Sequence, residues 1–298
     1  MIAALEDGAG GFVHSQEKII QRLVEHFKEM FKKRTVAEMD EPFVNKVDIK
    51  KISNREKNYL DLPLQLAELE SALKRMAKNK SPGSDGFSVE FYQHFWSELK
   101  TFFFKMVNEC VGTGILPITL REGILTLVPK PNRPRSEIKS YRPITLLNVS
   151  YKIIAAAVAN RIKSVLPSII DKDQTGFMKG RFIGDNTWLT YDLLHELKKE
   201  KRCALFVSID IEDAFNAVGW EFARSVMRKR NFPDSMQKLF DMLYVGSYSR
   251  LFYNGHVSEK TMLERSCRQG DPLNPHMFLM VIECTLAMIR HNVKHHRS

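Results

Sequence analysis

The apolar residues of this chain follow a helical period over most of its length, and a few short β-leaning runs interrupt that period at irregular intervals. The irregular spacing argues against a strict βαβ repeat and predicts an α+β fold. A first helix is expected over SQEKIIQRLVEHFKEMFKKR, where Ile19, Ile20, Leu23, Phe27, Met30 and Phe31 share a face. Lys32, Lys33 and Arg34 suit the negative end of its dipole. DEPFVNKVDIKKISNREKN has little periodicity and reads as a connector ending near Leu60. Residues 1–62 are thus expected to form a helical N-terminal extension and linker, and residues 63–298 the compact domain.

Within that domain LQLAELESALKRMAKNK is a helix stopped by the turn chemistry of SPGSDG, and Ser88 caps the next. There Phe91, Phe95, Leu99, Phe102, Phe103, Met106 and Val107 form a wide core stripe ended by Gly112 and Gly114. GILTLVP reads as a strand, and in the loop from Lys130 to Tyr141 Pro131 and Pro134 disfavour a helix. NVSYKIIAAAVANRIKSVLPSII is helical, broken or kinked at Pro167, and DNTWLTYDLLHELKKEK follows it. CALFVSID is apolar, β-leaning and stops on Asp210. Helices are expected in EFARSVMRKRN and PDSMQKLFDMLYV, a hairpin turned at Asn254-Gly255, and a last apolar helix from NPHMF with a basic end. Cys110, Cys203, Cys267 and Cys284 lie far apart, without disulfide or zinc spacing, and read as small core hydrophobes in a reducing compartment. The N-terminus lacks a secretory pattern, and Lys, Arg or Asn interrupt every apolar stretch, so the expected location is intracellular with no membrane span. Nucleus and cytoplasm are not distinguished.

Charge gives the first functional clue. The chain carries 45 Lys+Arg and 35 Asp+Glu, a net +10, and the excess is concentrated. Between Arg121 and Ser164 stand nine basic residues (Arg121, Lys130, Arg133, Arg135, Lys139, Arg142, Lys152, Arg161, Lys163) and two acidic ones. A solvated face mixes both signs, so this run reads as a phosphate-facing surface for nucleic acid or nucleotides.

Three constellations bear chemistry. Asp210 at the end of a buried run suits Mg²⁺, which takes carboxylate and phosphate oxygens, although taken alone Asp210 or Asp213 reads first as a cap of the next helix. Lys130 and Arg142 flank a Pro-stiffened loop, a point charge and a bidentate fork that suit a triphosphate. In CRQGDPLNPHMF, Gly270 permits close backbone approach beside Gln269, and Asp271-Pro272 or Asn274-Pro275 resembles a helix start.

KNKSPGSDGFSVEFYQHFW, LVPK with YRPITLLNVSYKIIAAAVANRI, DQTGF, SIDIEDAFNAV and RQGDPLNP occur in that order, and together they resemble the reverse transcriptase of long interspersed, non-LTR retrotransposons over roughly Leu64 to the end. The resemblance implies right-hand polymerase fingers and a partial palm, working on an RNA template, a DNA primer and deoxynucleoside triphosphates with two Mg²⁺ ions. By it, Asp210 is the catalytic, metal-binding carboxylate and the Ile211 carbonyl assists the metal. Phe215 sits under the sugar and rejects a 2′-hydroxyl. Lys130, Arg142, Gln269 and Gly270 hold the nucleotide, and Lys80, Arg133, Arg135 and Lys152 face nucleic acid.

The chain also departs from the family pattern. The family reads D-x-x-K-A-F-D where this chain has Asp213 and Asn216 at the Lys and second Asp positions. The aromatic-x-Asp-Asp motif that supplies the other carboxylates is absent, and the sequence holds no adjacent Asp pair. The expectation is a fragment truncated before that motif and inactive as given, with a non-catalytic nucleic-acid-binding fragment or decayed remnant as the alternative. Oligomeric state is not legible.

Overall fold

The computed structural model describes residues 2–7, 10–33 and 43–295, with side chains to residue 292. A two-residue ribbon, β1 (Leu5–Glu6) with β2 (Phe12–Val13), precedes α1 (Gln16–Phe31). The Ser15 hydroxyl accepts from the Lys18 amide and caps α1, whose buried face is Ile19, Leu23, Phe27 and Phe31. Arg34 falls outside the described residues. The stretch expected as a plain connector contains α2 (Asn54–Asp61), fixed by a reciprocal capping box between Ser53 and Glu56. That Ser-x-x-Glu signal was present in the sequence but has no apolar period behind it, because only Leu60 of this helix is buried.

α3 (Leu66–Lys74) is followed by α4 (Val89–His94) and α5 (Trp96–Thr113), which meet at Phe95. The expected single core helix is therefore two, and its stripe is narrower than expected: Phe103, Val107 and Cys110 are buried on α5, while Phe102 is exposed. Gly114, at φ 72°, ends α5 as expected.

After the single turn α6 (Ile118–Arg121), β3 (Glu122–Pro129) and β4 (Tyr141–Leu147) form an antiparallel hairpin. β5 (Tyr248–Tyr253) pairs parallel to β3, and β6 (His256–Met262) returns antiparallel through Asn254-Gly255, giving the order β4-β3-β5-β6. Asn254 at φ 45° and Gly255 at φ 85° adopt the left-handed backbone of a type I′ turn. α7 (Val149–Ile169) is the central helix and buries side chains on all sides, among them Tyr151, Ile153, Ile154, Val158 and Ile162. It runs through Pro167 and ends two residues later. α8 (Gly184–Lys199) buries none of its residues; α9 (Trp220–Lys229), α10 (Asp234–Tyr244) and α11 (Asn274–His295) complete the chain.

One expected strand does not form. Residues 202–211 carry no regular structure, and Leu205, Phe206, Val207 and Ile209 are exposed. β-propensity alone does not make a strand: pairing needs a neighbouring edge, and no described strand lies alongside this one. Cys203 is consequently exposed, against the expectation of a core thiol, while Cys110, Cys267 and Cys284 are buried.

The basic run is also less uniform than expected. Arg161 is buried, pairing through two nitrogens with Glu68 (2.7 and 2.6 Å) and donating to the carbonyls of Leu60, Leu62 and Pro63. It ties α7 to the segment between α2 and α3 and faces no solvent phosphate. A fixed charge survives burial only with such a shell of acceptors, and spacing in the sequence does not reveal the shell. No helix among the described residues is long and apolar enough to cross a membrane.

Candidate functional site

The β3–β4 hairpin, the segment 213–216 and the turn at Gln269 converge on a cavity of about 140 Å³ lined by Lys130, Tyr141, Arg142, Pro143, Asp213, Ala214, Phe215, Asn216 and Gln269. Arg142 stands on β4 opposite Val128 of β3, and Lys130 follows the last residue of β3, its amide donating to the Ser140 carbonyl. The Lys130 ammonium donates to the Lys139 carbonyl at 2.7 Å, and Lys139 pairs with Glu212 at 3.0 Å. This last hydrogen bond raises the Lys139 ammonium and lowers the Glu212 carboxyl, but both side chains are 75% exposed, so the pair adds little stability.

The opposite wall rests on residues 265–271. The Cys267 amide donates to the Phe215 carbonyl, the Ser266 amide to the Val218 carbonyl and the Ser266 hydroxyl to Asn216. The Thr145 amide on β4 donates to the Gln269 carbonyl at 2.8 Å, so this turn extends the sheet beyond its edge. Gly270 has φ 115°, and an added Cβ would stand 2.5 Å from the Thr145 carbonyl oxygen. Only glycine meets both conditions.

Beneath the turn lies a buried network. The Tyr151 hydroxyl donates to the Asp271 carboxylate at 2.7 Å, and the other oxygen of Asp271 accepts from the Leu273 amide. The Arg268 guanidinium sits 4.5 Å above the Tyr151 ring and donates to the carbonyls of Arg121 and Leu243. Burial, ahead of every charge effect, raises the Tyr151 and Tyr244 hydroxyls well above the ordinary phenol range and keeps them neutral. The sequence pattern missed this network because Tyr151 and Asp271 are 120 residues apart. It also missed Tyr141 and Pro143 as lining residues.

Asp210 and Ile211 are not brought to the cavity. Both lie on the exposed segment without regular structure, which corrects the expectation of a carboxylate at the end of a buried strand. Asp213 lines the cavity instead, at φ 51°. Among the described residues no group of three or more His, Cys, Asp or Glu is placed to hold a metal ion. The described residues therefore do not group enough carboxylates for a two-ion site.

Arg133 and Arg135 stand exposed on the loop between β3 and β4, with the Tyr141 hydroxyl fixing the Arg135 carbonyl at 2.7 Å. Lys80 is exposed just before the loop Ser81–Gly86, and Lys152 is half-buried on α7 near Asp85 of that loop. Asn148, just before α7, accepts there from the Ser84 hydroxyl and the Asp85 amide. Burial lowers the Lys152 ammonium and raises the Asp85 carboxyl, and each charge opposes the shift of the other.

A mixed sheet thus carries a cationic hairpin that faces a glycine turn, with an aromatic side chain between them. Residues 128–297 match the family described as reverse transcriptase (RNA-dependent DNA polymerase). The chain is 35% identical over 239 residues, 80% of its length, to the transposon TX1 uncharacterized 149 kDa protein of Xenopus laevis, and covers 18% of that protein. It is 26% identical over 230 residues (76% of the chain, 22% of the relative) to the Pol polyprotein of retrotransposable element R1 from Bradysia coprophila. With the probable RNA-directed DNA polymerase of transposon X-element from Drosophila melanogaster it shares 23% over 220 residues, 73% of the chain and 24% of the relative. The chain belongs to the reverse transcriptase family of non-LTR retrotransposons, and it spans about a fifth of the length of these relatives. That family implies a nucleic-acid template and primer, nucleotide substrates and a divalent metal in general.

Proposed function

We propose that this chain is the nucleotide-receiving part of an RNA-directed DNA polymerase, with the β3–β4 hairpin in the fingers and residues 213–295 contributing to the palm. The observation that carries the reading is the convergence of Lys130, Arg142, Phe215 and Gln269, far apart in sequence, on one cavity. In this reading Arg142 and Lys130 bind the triphosphate oxygens and Phe215 lies under the sugar, where its ring leaves no room for a 2′-hydroxyl. Gln269, held by Thr145, orients the nucleotide against the template. Arg133 and Arg135 meet the backbone of the RNA template or DNA primer, with Lys80 and Lys152 on a second contact.

Mg²⁺ is the expected divalent ion; Asp210 would hold it, and it would supply charge neutralisation at the reacting phosphate and 3′-hydroxyl oxygens. Since the described residues do not group enough carboxylates for a two-ion site, the reading for this chain stops at binding and selecting the nucleotide. A second reading, nucleic-acid binding without catalysis, draws on the exposed arginines of the hairpin loop.

Equilibrium binding of a deoxynucleoside triphosphate to the purified chain tests the main reading. Arg142→Ala is expected to weaken binding roughly tenfold or more, since a charge-assisted pair contributes about 1.5–3 kcal/mol. Phe215→Val is expected to narrow the preference for deoxynucleotide over ribonucleotide. Wild-type protein that ignores the triphosphate would remove the reading.

A further inference from the structure

Residues 171–182 link α7 to α8 without helix or strand, yet the loop is braced from several sides. The Arg181 guanidinium donates to the carbonyls of Ile170 (3.2 Å), Gln174 (2.6 Å) and Asp171. Asn186 donates to the Thr175 hydroxyl at 3.0 Å and the Asp173 carbonyl at 3.3 Å. Arg290 of α11 grips the Asp173 carboxylate through two nitrogens, each at 2.7 Å. Thr175 and Met178 are buried by this arrangement.

Between them Phe177 does the opposite. Its backbone has φ 59°, a region that a bulky side chain adopts only when the surroundings impose it. Its side chain gains little packing in return, because the residue is 57% exposed. The ring meets Phe215 in a T-shaped contact, 6.2 Å between centroids at 71°, and Phe215 in turn meets Phe278 at 5.0 Å. Phe177 is therefore adjacent to the residue that lines the cavity with Lys130 and Arg142. Lys172 and Lys179 are exposed on the same loop. A strained backbone that keeps an aromatic residue more than half in water beside a cationic site points to a flat, apolar ligand carried on an anionic chain.

We propose that Phe177 is a stacking platform for an unpaired base of single-stranded nucleic acid at the mouth of the cavity. The inference rests on the nucleotide-site reading above and adds to it a residue that contacts a strand base. Stacking on a π-face is sequence-tolerant, so Phe177 sets the position of the strand and leaves its sequence unread.

Fluorescence anisotropy of an end-labelled oligouridine of about 12 nucleotides, titrated with the purified chain at two salt concentrations, is the test. Phe177→Ala is expected to weaken binding roughly 5- to 100-fold with the slope of log K against log salt unchanged, because no phosphate contact is lost. Phe177→Trp is expected to restore affinity. Phe177→Gly is expected to lose affinity like Phe177→Ala while keeping or raising the melting temperature, since glycine relieves the backbone strain; this separates a binding role from a structural one. An oligonucleotide containing 5-iodouridine should photocrosslink at residue 177. Equal binding by wild type and Phe177→Ala overturns this inference alone, whereas a wild-type chain that does not bind the oligonucleotide overturns the reading beneath it as well.

Discussion

Two glycines and one arginine show how narrowly single positions are determined. Gly270→Ala brings a Cβ to 2.5 Å from the Thr145 carbonyl oxygen at a backbone angle of 115°. It is expected to cost about 2 kcal/mol or more and to abolish triphosphate binding, measured by chemical denaturation and titration on the same sample. Gly83 is under equal pressure, since a Cβ there would lie 2.0 Å from the Asn148 Oδ1 and 2.4 Å from its amide nitrogen. Truncating Arg161 leaves Glu68 and three carbonyls without their donor. Arg161→Ala is accordingly expected to cost about 3–5 kcal/mol in denaturant unfolding, while Glu68→Gln, which keeps acceptors for the guanidinium, should cost clearly less. The glycine of the RQGDP turn could be read in advance because its left-handed backbone is local, although the Thr145 carbonyl that it admits is not. The role of Arg161 could not, because its five acceptors come from a separate part of the chain.

Among the elements, those made by local chemistry were legible and those made by a neighbour were not. α1, α9 and α10 follow from apolar spacing, and the β5–β6 hairpin from Asn254-Gly255. α2 is written only in its capping box, and β1 and β2 are too short to leave a pattern. The run Cys203–Asp210 has the composition of a strand and none of the pairing. Replacing Leu205 and Val207 together by Lys is therefore expected to change stability by no more than about 0.5 kcal/mol per site, where a packed strand would lose several. The same change should lower binding of an apolar dye, because Leu205, Phe206, Val207 and Ile209, with Trp188, Leu189 and Leu193 of α8, expose apolar surface. A large loss of stability in the double variant would mean that the segment is packed in solution. For the candidate site, spacing marked the cationic hairpin and the glycine turn as separate features and the family resemblance put them with Phe215 at one nucleotide, while the sheet is what brings Lys130, Arg142, Phe215 and Gln269 to one cavity.

For the molecule as a whole, acid should weaken the fold through a particular histidine. Burial, helped by the nearby Lys163, pushes His276 down from 6.5 to about 4. The unfolded chain therefore takes up a proton before the folded one does, so stability is full above about pH 6.5 and falls as the pH drops toward 4. His26 shifts the same way, also mainly by burial. Melting temperatures across that window should fall less steeply in His276→Asn than in wild type, and parallel curves would show that His276 does not titrate in the fold. The buried link between Tyr151 and Asp271 carries a different kind of consequence, one of timing. Its partners are 120 residues apart, and the Thr145–Gln269 bond closes a loop of similar size. Such contacts are slow to form and come late in folding. During synthesis the β3–β4 hairpin with Lys130 and Arg142 can be complete while the opposite wall is still untranslated, so the chain holds its cationic arm before it has a cavity in which to use it.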